Sequence, residues 1–86
     1  MGLDFPNKAR SYDRSRRCVR FLGYDGLFEV PFFLQADALV STRGGVVEAE
    51  LLDAFDAVRV RVYDVAQKVY ARGRQTGYVL TAKDFR

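Results

Sequence analysis

The chain has 86 residues, a net charge of +3, one cysteine and no histidine. A chain of this length makes one domain, so we expect residues 1–86 to form a single domain. The hydrophobic fraction of 49% is that of a globular protein, and no apolar stretch approaches the roughly 18 residues that a membrane-spanning helix needs. The N-terminus shows no signal-peptide pattern, so we expect a cytoplasmic protein that makes no contact with a membrane.

The composition also argues against an enzyme. Without histidine, the chain lacks the commonest general base and the commonest metal ligand, and Cys18 has no histidine to activate its thiol. The carboxylates of Glu48, Glu50, Asp53 and Asp56 lie close together in the sequence, but no second acidic element would complete a pocket with them. We therefore predict no catalytic residue, no metal site and no cofactor.

From the N-terminus, we predict an extended segment over residues 1–17 and a β-hairpin over residues 18–34. The first segment shows no apolar periodicity. The hairpin consists of two β-prone runs, residues 18–22 and 27–34. Between these runs, the Asp25-Gly26 step favours a tight turn.

The second run of the hairpin has two different faces. Because side chains alternate along a strand, we expect one face to meet the core, the face that carries Phe28, Val30, Phe32 and Leu34. The opposite face carries Pro31 and Phe33. Proline cannot donate to a ladder, so Pro31 indicates an edge or a bulge. Phe33 on an outer face indicates cover from the N-terminal segment or from another chain.

Two helices are predicted next, a short one over residues 35–43 and a long one over residues 46–72. No proline or glycine interrupts the long helix, and its apolar residues recur at spacings of three and four. These residues are Leu51, Phe55, Val58, Val62, Val65 and Val69. A last strand over residues 78–81 is expected to join the hairpin. The elements together predict an α+β fold, a small antiparallel sheet of hairpin and C-terminal strand packed on one long amphipathic helix, with a short helix before it.

A second apolar flank on the long helix is a candidate interface. Leu52, Tyr63 and Tyr70 lie about 100° from the centre of the main stripe, with Arg59 beside them. Either the sheet or the N-terminal segment covers this flank, or it is a surface for self-association, since tyrosine and arginine are enriched at interfaces. With Phe33, these residues form our candidate interface.

Charge is distributed unevenly along the chain. Residues 8–20 hold six basic side chains and one acidic, residues 21–56 hold one basic and seven acidic, and residues 57–86 hold seven basic and two acidic. The basic block includes the candidate phosphate contacts Arg14, Arg16, Arg17 and Arg20. Such a cluster can bind nucleic acid, but no nucleic-acid-binding motif is present. Neutralisation of the acidic half of the helix, within or between chains, is the interpretation that we favour.

Several short motifs are similar to those of a known family. Phe5-Pro6-Asn7, Tyr12-Asp13, Val19-Arg20-Phe21, Ala54-Phe55 and the final Asp84-Phe85 resemble, in this order, the domain of unknown function 1488 family of small, mainly proteobacterial proteins. The resemblance covers nearly the whole chain. It implies a compact α+β fold of about three strands with helices, and no established activity, cofactor or catalytic residue.

We therefore expect a non-enzymatic protein-interaction or accessory module of the bacterial cytoplasm that self-associates as a homodimer or binds another protein. The alternative is a nucleic-acid-binding accessory protein that uses the arginine cluster. Neither expectation assigns a cofactor.

Overall fold

The computed structural model describes residues 2–73, 75 and 77–85; of the predicted domain, Met1, Arg74, Thr76 and Arg86 lie outside these residues. Within them, a four-stranded sheet packs against two α-helices, which confirms the α+β class. The strands are β1 (Arg10–Asp13), β2 (Cys18–Asp25), β3 (Phe28–Gln35) and β4 (Tyr78–Leu80), and the helices are α1 (Glu48–Ala57) and α2 (Arg59–Ala71).

The strands lie in the order β1-β2-β3-β4. The pairs β1–β2 and β2–β3 are antiparallel, whereas β3 and β4 are parallel. The sheet is therefore mixed and not purely antiparallel as predicted. The connection permits this, because a parallel pair requires a crossover of a dozen or more residues, and α1 and α2 provide it between β3 and β4.

The hairpin is confirmed, but its turn lies nearer to the second strand than predicted. Asp25 pairs with Phe28, so Gly26 and Leu27 form a two-residue turn. Gly26 has a φ of +63°, as a glycine at the first central position of such a turn requires. Phe28, which was predicted to face the core, is 77% exposed, because it lies at the tip of the hairpin beyond the end of β4.

Strand β1 lies within the N-terminal segment, where the sequence pattern did not predict a strand. Its four residues pair antiparallel with the first half of β2. A tight turn joins the two strands, and the Asp13 carboxylate stabilises it by accepting hydrogen bonds from the Ser15 hydroxyl and from two backbone N–H groups. Arg17 in this turn has a φ of +53°. This left-handed conformation costs a residue other than glycine about 1–2 kcal/mol.

The predicted long helix over residues 46–72 is wrong as a single element. Val58 has a φ of −120° and a ψ of 22° and separates α1 from α2. Its N–H donates to the Phe55 carbonyl, and its own carbonyl accepts from the Val62 N–H. Valine loses side-chain freedom in a helix, and the break directs Phe55 and Val62 into the core while Val58 turns outward and is 40% exposed. The predicted helix over residues 35–43 is likewise only a 3-10 turn, Ala36–Ala38.

The core lies between the helices and one face of the sheet. An aromatic cluster forms its centre, in which the Phe21 ring lies 5.2 Å from Phe55 and 5.3 Å from Phe32. The residues that line it with less than 3% exposure include Val19, Phe21, Phe32, Leu34, Leu51, Phe55, Val62, Ala66, Tyr78 and Leu80. Neither helix of the described residues is long and apolar enough to cross a membrane.

Pro31 lies where the sheet can accommodate it. Hydrogen-bonded and non-bonded pairs alternate along an antiparallel ladder. Since Asp25–Phe28 closes a two-residue turn, Leu22–Pro31 falls on a non-bonded pair, and the backbone nitrogen of Pro31 points away from β2. On that side β4 begins to pair only at Phe32, so no ladder hydrogen bond is lost.

Candidate interaction surface

The chain itself covers the tyrosine flank that was predicted as an interface. The Tyr63 ring stacks on Phe5 with centroids 4.1 Å apart and an interplanar angle of 3°. Its hydroxyl accepts a hydrogen bond of 2.7 Å from the Arg59 guanidinium. The N-terminal segment therefore provides the cover for this part of the flank.

The other members of the flank also contact their own chain. The Tyr70 hydroxyl donates to the Asp25 carboxylate at 2.5 Å, and its ring meets Tyr78 edge-on. Leu52 is half-buried against the core. The flank thus connects α2 to the hairpin. This arrangement agrees with the alternative that the sheet or the N-terminal segment covers the flank.

A charge network holds the N-terminal segment to the helices. The Arg10 guanidinium donates two hydrogen bonds to the Asp56 carboxylate, at 2.9 and 2.7 Å. Arg59 donates to the same carboxylate at 2.5 Å and to the Lys8 carbonyl at 3.0 Å. The hydrogen bond from Arg10, followed by that from Arg59, holds the pKa of Asp56 below its usual value. Asp56 therefore ties the end of α1 to β1 and to the start of α2.

We expect the substitution Asp56→Asn to lower the melting temperature at pH 7 and to have little effect near pH 2. A depressed carboxyl pKa contributes stability above the unfolded-state pKa of about 3.9, and this contribution is lost as the pH falls through the folded-state pKa. Thermal unfolding followed by circular dichroism between pH 2 and 7 measures the difference. Glu50→Gln is the matched control, since Glu50 is exposed on the same helix. An Asp56→Asn deficit that is constant over this range would contradict the assignment.

The four arginines of the cluster have different surroundings, although Arg16 and Arg17 line one shallow depression. Arg20 lies on the outer face of β2, opposite Phe33, and the Arg16 guanidinium lies 4.4 Å above the Phe33 ring. Arg14 and Arg17 instead line a shallow depression with Glu48 near the start of α1. Among the described residues, Arg16 has a carboxylate within 4 Å, that of Asp13 at 3.9 Å, and the other three arginines have none. Nucleic-acid binding by this cluster stays a prediction.

The outer face of the sheet carries an apolar patch that neither helix covers. Phe33 pairs directly with Val79, and Leu22 pairs with Pro31 one row further along the strands. Val79 is 52% exposed, and the other three are partly exposed. We call Leu22, Pro31, Phe33 and Val79 the outer patch. A solvated face of an antiparallel sheet normally carries polar side chains, so this face departs from the usual alternation.

The two ends of the outer patch carry opposite charges. Arg16 and Arg20 flank Phe33 at one end. Tyr24 and Glu29 are a cross-strand pair at the other end, and the Tyr24 hydroxyl donates to the Glu29 carboxylate at 3.3 Å. Burial and the Glu29 charge raise the pKa of Tyr24, and the Glu29 carboxylate supplies the negative charge of this end.

Comparison with known protein families identifies the family of this chain. The family model described as "Protein of unknown function (DUF1488)" matches residues 3–81. The chain belongs to the DUF1488 family. No curated protein and no solved structure gave a significant match. The DUF1488 match covers all four strands and both helices, so the outer patch lies within the family domain.

The described part of this DUF1488 chain has several open clefts and no grouped metal ligands. No group of three or more His, Cys, Asp or Glu side chains in it is arranged to hold a metal ion. Its clefts are open; one of about 200 Å³ lies between the hairpin and α2 and is lined by Asp25, Phe28, Tyr70 and Tyr78 among others. The Asp25 and Tyr70 side chains there are already hydrogen-bonded to each other.

Of the predicted interface residues, the structure places only Phe33 in the outer patch. Sequence reasoning missed Leu22 and Val79, whose alternation with the buried Phe21, Tyr78 and Leu80 was a signal for a second apolar face. Sequence reasoning could not show that Leu22, Phe33 and Val79 lie side by side, because a strand as short as β4, with three residues, does not reveal its register with β3.

Proposed function

We propose that this protein is a non-enzymatic interaction module that self-associates through the outer patch. The single observation that carries the proposal is the row of apolar side chains on a sheet face that the helices leave uncovered. Contiguous exposed apolar surface on a small soluble domain is typical of a contact site. The proposal places the protein in a bacterial cytoplasm, in keeping with the single, buried thiol of Cys18.

A second copy of the chain is the partner that this surface suits. An isologous contact requires a surface that is complementary to itself, and the outer patch has a basic end and an acidic end around an apolar centre. A surface that binds an unrelated partner does not have to be complementary to itself.

The size of the outer patch predicts a weak dimer. The outer patch lies on three strands about 4.8 Å apart, roughly 10 Å across, and with its charged ends it spans three rows of side chains, roughly 13 Å along the strands. Such a face is smaller than the roughly 800 Å² per partner of a standard interface. We therefore expect association that depends on concentration and half-saturates at roughly tens of micromolar or above.

We expect Phe33→Ser to keep the chain monomeric at concentrations where the unaltered protein dimerises, because it removes the largest apolar side chain of the outer patch. Sedimentation equilibrium from about 10 to about 1,000 μM measures this. Val60→Ser is the matched control, since Val60 is 84% exposed on α2 and away from the sheet. Circular dichroism checks that each variant is folded.

Val79→Asp provides an independent test if Phe33→Ser proves unstable, because Val79 is more than half exposed and its replacement leaves the core intact. A protein that sediments as one chain up to the highest concentration would overturn the proposal. So would dimers that persist in folded Phe33→Ser and Val79→Asp variants.

A further inference from the structure

We infer that two copies pack with their outer patches face to face and their strands reversed, so that Arg16 and Arg20 of one copy meet Glu29 of the partner copy. This inference rests on the proposed function and adds the arrangement of the two chains. It follows from where the charges lie on the outer face and from the symmetry of a two-chain contact.

The sheet register fixes the positions of the two charged ends. Arg20 and Phe33 form one cross-strand pair, Leu22 and Pro31 form the pair two residues further along, and Tyr24 and Glu29 form the next. Side chains on one face of a strand repeat every two residues, or about 6.6 Å. The basic and acidic ends are therefore roughly 13 Å apart, with the Leu22–Pro31 pair midway between them.

Symmetry then allows two simple arrangements. The two-fold axis of a face-to-face dimer lies in the plane between the sheets. If the axis runs along the strands, each end of the outer patch faces the same end of the other copy, and the arginine end faces the arginine end. If it runs across the strands above the Leu22–Pro31 pair, the two ends exchange, and the arginine end of each copy faces the glutamate end of the other.

Charge favours the axis that runs across the strands. Like charges that face each other at an interface cost several kcal/mol and suppress that arrangement. In the favoured arrangement, Arg16, held above the Phe33 ring on β3, lies opposite Glu29 on the β3 strand of the second copy, and Arg20 is one strand away. The Glu29 carboxylate accepts one hydrogen bond from Tyr24 and keeps lone pairs for a guanidinium. The two copies form this contact twice.

Charge reversal tests the arrangement. We expect R16E/R20E and Glu29→Arg each to raise the dissociation constant of the homodimer by about tenfold or more, because each places like-charged pairs in the interface. An equimolar mixture of these two variants should restore dimerisation, since every facing pair is then of opposite charge. The combined variant R16E/R20E/E29R should restore it within one chain. Sedimentation equilibrium of the two separate variants, their mixture and the combined variant measures all four cases.

Two controls match the charge changes away from the outer patch. Arg14→Glu reverses a charge near the start of α1, and Glu50→Arg reverses one on α1 itself; neither is expected to change the dissociation constant. If both outer-face reversals leave the homodimer intact while Phe33→Ser abolishes it, the arrangement is wrong and the contact surface stands. If R16E/R20E and Glu29→Arg weaken the dimer but neither their mixture nor the combined variant restores it, the arrangement is also overturned. A dimer that Phe33→Ser and Val79→Asp leave unaffected overturns the proposed function itself.

Discussion

Replacing Phe21 with alanine is expected to remove a large part of the stability of the domain. The Phe21 ring is 2% exposed and lies within 6.0 Å, centroid to centroid, of the rings of Phe5, Phe32, Phe55 and Tyr63. Truncation of a buried phenylalanine costs about 3–5 kcal/mol, because the cavity that it leaves cannot fully collapse. Single domains of this size have only about 4–13 kcal/mol of stability in total.

Equilibrium unfolding in urea measures this loss as a shift of the midpoint at constant slope. Phe28→Ala is the matched control, because the same ring is removed from the neighbouring strand at a position that is 77% exposed. We expect the control to change stability by less than about 1 kcal/mol. Equal losses for the two variants would mean that the aromatic cluster is not the centre of the core.

Gly23→Val is expected to destabilise the protein by about 1–3 kcal/mol, as overpacking of a filled core does. A Cβ atom at Gly23 would lie 2.9 Å from Phe5 Cε1 and 3.0 Å from Leu3 Cδ1, because the N-terminal segment runs antiparallel alongside β2 at this point. Asp4 and Tyr24 exchange two backbone hydrogen bonds of 2.8 Å next to it, so the segment cannot shift without breaking this bridge. Valine favours strands, so without the packed segment the same substitution would stabilise β2.

The sign of the Gly23→Val effect therefore reports whether the N-terminal segment is packed. Unfolding in urea gives the free energy, and amide hydrogen exchange shows whether the Asp4–Tyr24 bridge opens. In a Phe5→Ala background the cost of Gly23→Val should fall, since the closest ring atom is gone and the two sites couple. A stabilising Gly23→Val variant would show that Leu3 and Phe5 do not lie over β2.

The hairpin could be predicted from the sequence because its signals are local. The Asp25-Gly26 step and the alternation of Val30, Phe32 and Leu34 act within a few residues of one another. Both were confirmed. Strand β1 was not predictable in this way, since Arg10 faces the helices only because Asp56, 46 residues away, accepts its hydrogen bonds.

The helix break was hidden by a pattern that continues through it. Leu51, Phe55, Val62 and Val65 keep helical spacing and are all buried, so periodicity alone predicts one rod. Both α1 and α2 pack their apolar residues against the sheet. The stability that this packing provides outweighs the cost of breaking the helix at Val58. The direction of β4, in contrast, had a partial signal, because the long helical connection before it is the kind that a parallel pair requires.

The candidate site was predictable only in part for the same reason. Phe33 was identified from its position on the outer face of one strand. The remaining members of the outer patch come from two other places in the chain, and only the sheet register brings Leu22 and Val79 beside it. The tyrosine flank on the helices had the stronger sequence signal, but Phe5 and Asp25 satisfy it within the chain.

Pro31 limits how copies of this protein can join. The stretch of β3 that β4 leaves unpaired is a place where a strand from another molecule could dock and start an open-ended polymer. Pro31 lies at the end of this stretch, next to the paired Phe32, and its missing N–H denies such a strand one of its hydrogen bonds. Assembly through the broad side of the sheet closes after two chains, whereas assembly through its rim would not, and the proline ring obstructs only the second route.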